Sequence, residues 1–368
     1  MGTENSSNEY QAARQHLSLS AAAREVLKDD RQGFGGGRSW AGILNYVFAA
    51  YRDKADASIS VAVERRRAQY EEKLVGVATP AVREAVLERL LADYTGELIE
   101  NAAKNGAVLQ DAPCFKFRLD RDNYAFREQW LDSPDAARYY GNRFSRYLRA
   151  VLEEYAAKTV YQREEVYFYR WITLIKGAMA GGGLLCVKGR NGNVYDVRPY
   201  GVLSGRQETY HYLVGMACQD GKRDAEKIAC FRLSKLVTLK LSQKRSGRLT
   251  KEECKEIEDR IRSVGVEFLL QQQETICIRL TEQGRQDYGS QLHLRPATVK
   301  RVAVDDGPYR WEYTFNCTAF QAKAYFLKFC GDAKVVAPQS LRKEFADKYR
   351  RALNAYQTPD TQGSASCE

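Results

Sequence analysis

The sequence predicts a multidomain α+β protein, and three observations carry that expectation. The chain has 368 residues with a 44% apolar share and 11% aromatics, enough for two or three separate cores. Its first 160 residues follow helical apolar periodicity, interrupted twice by a short alternating strand. From Val194 onward short strands take over, and beyond Lys251 strands and helices share the chain. The expected domains are a largely helical region over 12–160, a β domain with a leading helix over 161–248, and an α/β domain over 249–358. The polar ends, Met1 to Gln11 and the tail after Thr358, are expected to be loose.

Within 12–160 one unit is written twice, at 15–55 and 114–158. The first copy has an alternating strand, Gln15 to Leu19, Ser20 as a helix N-cap, a helix to Gln32, a glycine-rich turn and a helix from Ser39 to Tyr51. The second has Phe115 to Leu119, Asp120 as N-cap, a helix to Leu131, a loop, and a helix from Asn142 to Tyr155. The second helices correspond position by position: Trp40 with Phe144, Leu44 with Leu148, Val47 with Val151, Phe48 with Leu152, Tyr51 with Tyr155. A strand, helix, helix unit of this size resembles the ribbon-helix-helix fold, whose strand must pair with a second copy to close a core. Here both copies lie in one chain, which predicts an intramolecular ribbon. Leu17, Leu19, Phe115, Phe117 and Leu119 face inward, and His16, Ser18, Lys116 and Arg118 face out. In DNA-binding members of that fold the outward positions enter the major groove. Two readings of these four residues stand side by side, contact with nucleic acid and a ribbon that only organises a dimer.

Between the copies the pattern predicts helices over Ala57 to Leu74 and from Thr79-Pro80 to Asn105, closed by Gly106. Arg65-Arg66-Arg67 reads as a solvated helical face, with phosphate contact as the weaker alternative. A helix from Arg163 to Ala180 leads through Gly181-Gly182-Gly183 into the β domain. The glycine-rich run Gly33 to Ser39 lacks the Gly-Lys-Ser/Thr ending of a phosphate loop and follows a helix, so it reads as a turn.

In the β domain, Val194 to Pro199, Tyr210 to Met216 and Ile228 to Leu241 read as strands. Leu184 to Arg248 holds 13 Lys and Arg against 5 Asp and Glu, so +8 of the chain's net +10 falls in this one segment. That concentration points to a polyanionic partner. Along the last strand Phe231, Leu233, Lys235, Val237, Leu239 and Leu241 share a face, which puts Lys235 on the apolar side. Three segments, Arg198-Pro199-Tyr200-Gly201, Tyr210-His211-Tyr212-Leu213 and Phe231-Arg232-Leu233-Ser234-Lys235, together resemble the WYL domain of bacterial regulators. His211 stands where that family has tryptophan. The resemblance implies an Sm- or SH3-like β barrel that senses nucleic acid or nucleotide. The candidate nucleic-acid-binding residues on it are Lys188, Arg198, Arg206, Tyr210, His211, Tyr212, Arg232 and Lys235.

Beyond the barrel, Lys251 to Val264 reads as a charged helix. It is followed by strands at Thr275 to Leu280, Trp311 to Cys317 and Ala333 to Val336, with helices at Ala319 to Phe329 and Leu341 to Tyr356. Phe329-Cys330-Gly331, Val335-Val336, Pro338 and Leu341-Arg342 resemble the C-terminal dimerisation extension that follows WYL domains, which implies a homodimer. The whole order resembles the WYL accessory proteins of type VI-D CRISPR systems. That likeness implies a protein that binds single-stranded RNA and raises the RNA cleavage of an RNA-guided RNase effector, reached directly or through RNA. The alternative is a DNA-binding transcriptional regulator whose WYL domain senses a nucleotide or nucleic-acid ligand. No converging nucleophile or carboxylate pair marks an enzyme. Nine scattered cysteines without a Cys-x-x-Cys pair and three distant histidines write no zinc spacing, so no metal or other cofactor is expected. No apolar run approaches the about 20 residues that span a bilayer, and a soluble, cytoplasmic protein is expected.

Overall fold

The computed structural model describes residues 14–34, 37–76, 79–107, 112–205, 210–219, 226–245, 247–270 and 272–357. Strand β1 (Arg14–Ser18) leads into α1 (Ala21–Gly33) through Ser20, whose hydroxyl accepts the Ala23 amide at 3.1 Å. Ser39 caps α2 (Trp40–Tyr51) in the same way. Then come α3 (Ile59–Leu74) and the long α4 (Pro80–Asn105), which opens on proline and stops at Gly106. The second copy is β2 (Cys114–Arg118), Asp120 as cap, α5 (Arg121–Leu131), α6 (Pro134–Tyr140) and α7 (Phe144–Ala156).

The two copies complete each other within the chain. β1 and β2 pair antiparallel with Gln15 opposite Phe117, His16 opposite Lys116 and Leu17 opposite Phe115. Leu17 and Phe117 are buried and Phe115 packs against the same core, while Arg14, His16, Lys116 and Arg118 are exposed, as the alternation predicts. The corresponding helix positions Leu44, Val47, Phe48 and Tyr51 are buried with Leu148, Val151, Leu152 and Tyr155. Glu153 of α7 accepts both the Ser20 hydroxyl and amide, at 2.7 and 2.6 Å, so the second copy caps the first copy's helix.

The chain continues through α8 (Val160–Tyr167) and α9 (Tyr169–Gly181) into β3 (Gly183–Gly189), β4 (Val194–Ser204), β5 (His211–Gln219) and β6 (Lys227–Arg232). A 3-10 turn, Leu233–Lys235, precedes β7 (Leu236–Arg245). These five strands form one antiparallel sheet in the order β6-β5-β4-β3-β7. The expected barrel is therefore corrected: the 3-10 turn sends β7 to the far edge beside β3, and β6 and β7 do not pair, so the sheet is open. The same turn breaks the single strand expected over 228–241 and resets its alternation. Leu233, Leu236 and Leu239 go inside, Val237 and Leu241 are 53% and 55% exposed, and Lys235 is exposed instead of facing the core.

A single apolar core runs from the helices into this sheet. Ile172, Ile175 and Ala178 of α9 lie in the same cluster as Leu44, Val151, Leu185, Val187 and Val197. Helix α10 (Lys251–Val264) and the 3-10 turn after it (Val266–Phe268) cover the other part, with Ile257, Val264 and Phe268 in one cluster with Val214 and Met216. The C-terminal domain has its own core. It contains β8 (Gln273–Leu280), α11 (Glu282–Ser290), β9 (Thr298–Asp306), β10 (Tyr309–Thr318), α12 (Ala319–Phe326), β11 (Ala333–Ala337) and α13 (Gln339–Gln357). Its sheet order is β11-β8-β10-β9. The strands β3 and β9 and the helices α6 and α11 lie outside the sequence expectation. The one helix expected over 163–180 is broken at Phe168, whose φ of −99° and ψ of 15° leave the helical region.

Candidate nucleic-acid interface

Three surfaces bear on the expected chemistry. The first is the ribbon, where Arg14 sits opposite Arg118 and His16 opposite Lys116, while Ser18 faces Cys114 at the other end. None of the four basic side chains has an ion-pair partner among the described residues. The cations Arg14, Arg118 and Lys116 therefore run from one end of the two-stranded ribbon to its central pair, with no twofold repeat of side chains about that centre.

The second surface is the central sheet, and here several expected residues are committed elsewhere. Arg198 on β4 is 15% exposed; its Nε donates to Glu226 at 2.9 Å and its Nη1 to Glu253 at 3.0 Å, while Nη2 contacts both carboxylates. The hydrogen bond that Arg198 donates to Glu253, joined by that to Glu226, raises the guanidinium above its ordinary range, and Arg198 in turn lowers the Glu253 carboxyl. Since Glu253 also accepts the Thr250 amide at 2.7 Å as the N3 member of a capping box, Arg198 fastens the sheet to the start of α10. A phosphate would have to displace two carboxylates from it, so Arg198 is a structural clamp and not a free cation.

His211 is also interior. Its amide and Nδ1 reach Glu164 Oε2 at 2.5 and 3.2 Å, and its ring stacks on Tyr161 at 4.1 Å and 12°. It thus joins β5 to α8. Tyr212 packs into the cluster under α10, and burial, with the Glu267 charge second, pushes its phenol up to about 12. Arg232 lies over the Tyr210 ring and donates to Ser234 Oγ at 2.7 Å. Lys188 and Lys235 are exposed and have no ion-pair partner among the described residues. Arg206 lies outside the described residues.

The third surface was not anticipated. An open cleft of about 790 Å³ lies between the turn joining α1 to α2, the α8–α9 corner and the start of β7. Its walls carry Phe34, Tyr46, Tyr167, Phe168 and Trp171, together with Arg38, Arg170 and Arg190. Phe168 and Trp171 stack at 5.0 Å and 26°. Arg38 Nε donates to the Tyr167 hydroxyl at 3.0 Å and its guanidinium lies 4.5 Å from the Tyr46 ring centre. Burial raises the phenols of Tyr46 and Tyr167 above their ordinary value, which keeps both neutral. Arg170 Nε donates to Tyr169 at 3.2 Å, and Arg190 Nη2 donates to the carbonyls of Gly33 and Ser234 at 2.7 and 2.9 Å. The signal that marks this cleft in the sequence is the run Tyr167-Phe168-Tyr169-Arg170-Trp171, which reads as part of one helix, whereas the break at Phe168 packs the rings of Tyr167 and Trp171 against that of Phe168.

Among the described residues no group of His, Cys, Asp and Glu is placed to hold a metal ion, and no helix is long and apolar enough to cross a membrane.

Fold and surfaces define a multidomain α+β protein: a two-copy helical ribbon unit, an open antiparallel sheet sharing its core, and a C-terminal α/β domain. A solved structure described as a CRISPR Cas-related protein has this fold, with a TM-score of 0.67 at 20% identity over 94% of each chain. Proteasome accessory factor B/C (PafBC) of Arthrobacter aurescens aligns at 14% identity over 95% of this chain and 51% of its own. Its TM-score of 0.24 carries no argument. No protein-family model matches the sequence, and no curated protein does.

Proposed function

We propose that this chain is a single-stranded RNA-binding accessory protein that enhances RNA cleavage by a type VI-D CRISPR effector, working as a homodimer and not as an enzyme. The observation that carries the nucleic-acid reading is the ribbon face. Arg14, His16, Lys116 and Arg118 stand exposed without carboxylate partners among the described residues, and the three cations Arg14, Arg118 and Lys116 lie between one end of the ribbon and its centre. Phosphate contact needs only such a set of cations, whereas reading a palindromic duplex needs two equivalent halves. The polarised ribbon favours the first. The fold shared with a CRISPR Cas-related protein supports the biological setting.

The second reading, a DNA-binding transcriptional regulator, draws on the same ribbon, because a two-stranded ribbon fits the major groove. A contest decides between them: affinities for single-stranded RNA, single-stranded DNA and duplex DNA at two salt concentrations, plus the rate of RNA cleavage by a type VI-D effector with and without the protein. We expect RNA to bind tightest and cleavage to rise. Replacing Arg14 and Arg118 by alanine should lower the slope of log affinity against log salt by about 0.7 for each phosphate contact removed. Preference for a duplex, or no change in cleavage, overturns the reading.

For the dimer, the exposed edge strand β9, with Val299 62% and Val302 37% exposed, is the surface we assign to the second copy.

A further inference from the structure

We propose that the cleft between the α1–α2 turn, the α8–α9 corner and β7 is the seat of unpaired nucleotides, binding a short single-stranded segment through its bases and phosphates together. The inference rests on the RNA-binding reading and gives it a location away from the expected sheet residues. Its volume of about 790 Å³ falls within the about 300–1,000 Å³ of pockets that enclose small ligands. Three guanidiniums, Arg38, Arg170 and Arg190, line it, and among the described residues they hydrogen-bond to neutral oxygens: a phenol, a phenol and two carbonyls. No acidic residue is among the described lining residues. Asp122 acts on Arg170 from a distance without a hydrogen bond to it, and the three like charges lining one cleft repel, so the arrangement favours an anionic occupant. The contrast with Arg198, fully claimed by Glu226 and Glu253, is direct.

The aromatic half of the cleft selects among anions. Trp171 is half-buried and backed by Phe168, which fixes its plane and leaves it as a platform at the cleft wall. Ring platforms beside cations suit a ligand with flat faces and regularly spaced negative charge, which describes an unstacked polynucleotide. A duplex hides its base faces, and an acidic peptide has charge without them.

The test uses the full chain and a fluorescent oligouridine, with oligothymidine, uridine monophosphate and a polyglutamate peptide as competitors. Expected are a five- to hundredfold loss of affinity, in round terms about what one stacked base supplies, for Trp171→Ala. Expected too is a salt slope smaller by about 0.7 for each of Arg170→Gln and Arg190→Gln. Thiouridine in the oligonucleotide should photocrosslink within residues 167–171. Arg170 is exposed, so its variant keeps the core intact even if Trp171→Ala fails to fold. Weaker binding of oligothymidine than oligouridine supports RNA as the source of the strand; equal binding supports the cleft for either strand. Tight RNA binding that ignores all three variants and crosslinks only to the ribbon overturns the cleft and leaves the RNA reading standing. No single-strand binding at all overturns both. Competition by polyglutamate equal to that by oligouridine, or a monophosphate binding as tightly as the strand, overturns the assignment to a polynucleotide.

Discussion

Replacing Arg198 by alanine separates a clamp from a contact. Breaking a buried ion pair at one partner costs about 3–5 kcal/mol, because the abandoned charge stays out of water. Here the arginine is 15% exposed and its carboxylates 14% and 23%, so water relieves part of that. We expect about 2 kcal/mol, which for a protein of 368 residues corresponds to roughly 3 °C in the unfolding midpoint. The pH dependence has a definite sign. The Glu253 carboxyl is held below its ordinary 4.5 by Arg198, so its share of stability is fully present above 4.5 and is lost as pH falls through the lower, folded-state value. The gap between wild type and variant should therefore be widest near neutrality and narrow in acid. Thermal unfolding over a pH series, with fluorescence anisotropy for RNA at neutral pH, reads both quantities. An unchanged midpoint with weakened RNA binding would show that Arg198 meets the ligand and that the clamp assignment is mistaken.

Three further outcomes follow from the packing. A Cβ at Gly215 would lie 2.2 Å from the Arg198 carbonyl on the neighbouring strand, so Gly215→Ala should cost about 1–3 kcal/mol in chemical denaturation, with no route of escape through a side-chain rotation. Asp30 accepts Arg163 Nε at 2.8 Å and the Tyr155 hydroxyl at 2.9 Å in the interior, so Asp30→Ala should lose about 3–5 kcal/mol by the same measurement. Val299→Lys with Val302→Lys places two charges on the β9 edge, and light scattering should show the mass of one chain where the wild type shows two; an unchanged dimer moves the interface elsewhere.

The helical half of the fold was legible because its signals are local. Ser20, Ser39 and Asp120 cap the helices at the expected positions, and the alternation of Leu17 with His16, and of Phe117 with Lys116, fixes which ribbon face is buried. The sheet was less so. Alternation from Phe231 to Leu241 is indistinguishable from one long strand until the 3-10 turn at Leu233–Lys235 shifts its phase, and that turn is stabilised by tertiary contacts such as Arg190 donating to the Ser234 carbonyl. The exposed edge β9 has a weak pattern because most of its residues face solvent.

The sheet shows why a count of charges along the sequence does not locate a free cation. The net +8 between Leu184 and Arg248 is real, but a count is blind to pairing across the chain: Arg198 finds Glu226 and, 55 residues away, Glu253 outside the counted segment. The converse holds for the cleft, whose three arginines come from three separate segments and whose rings come from the first two helices as well as from the helix break at Phe168. No window of the sequence contains them. A cation's availability is a property of its neighbours' charges. Arg38, Arg170 and Arg190 each donate to a neutral oxygen and make no ion pair among the described residues, whereas Arg198 is held by two carboxylates.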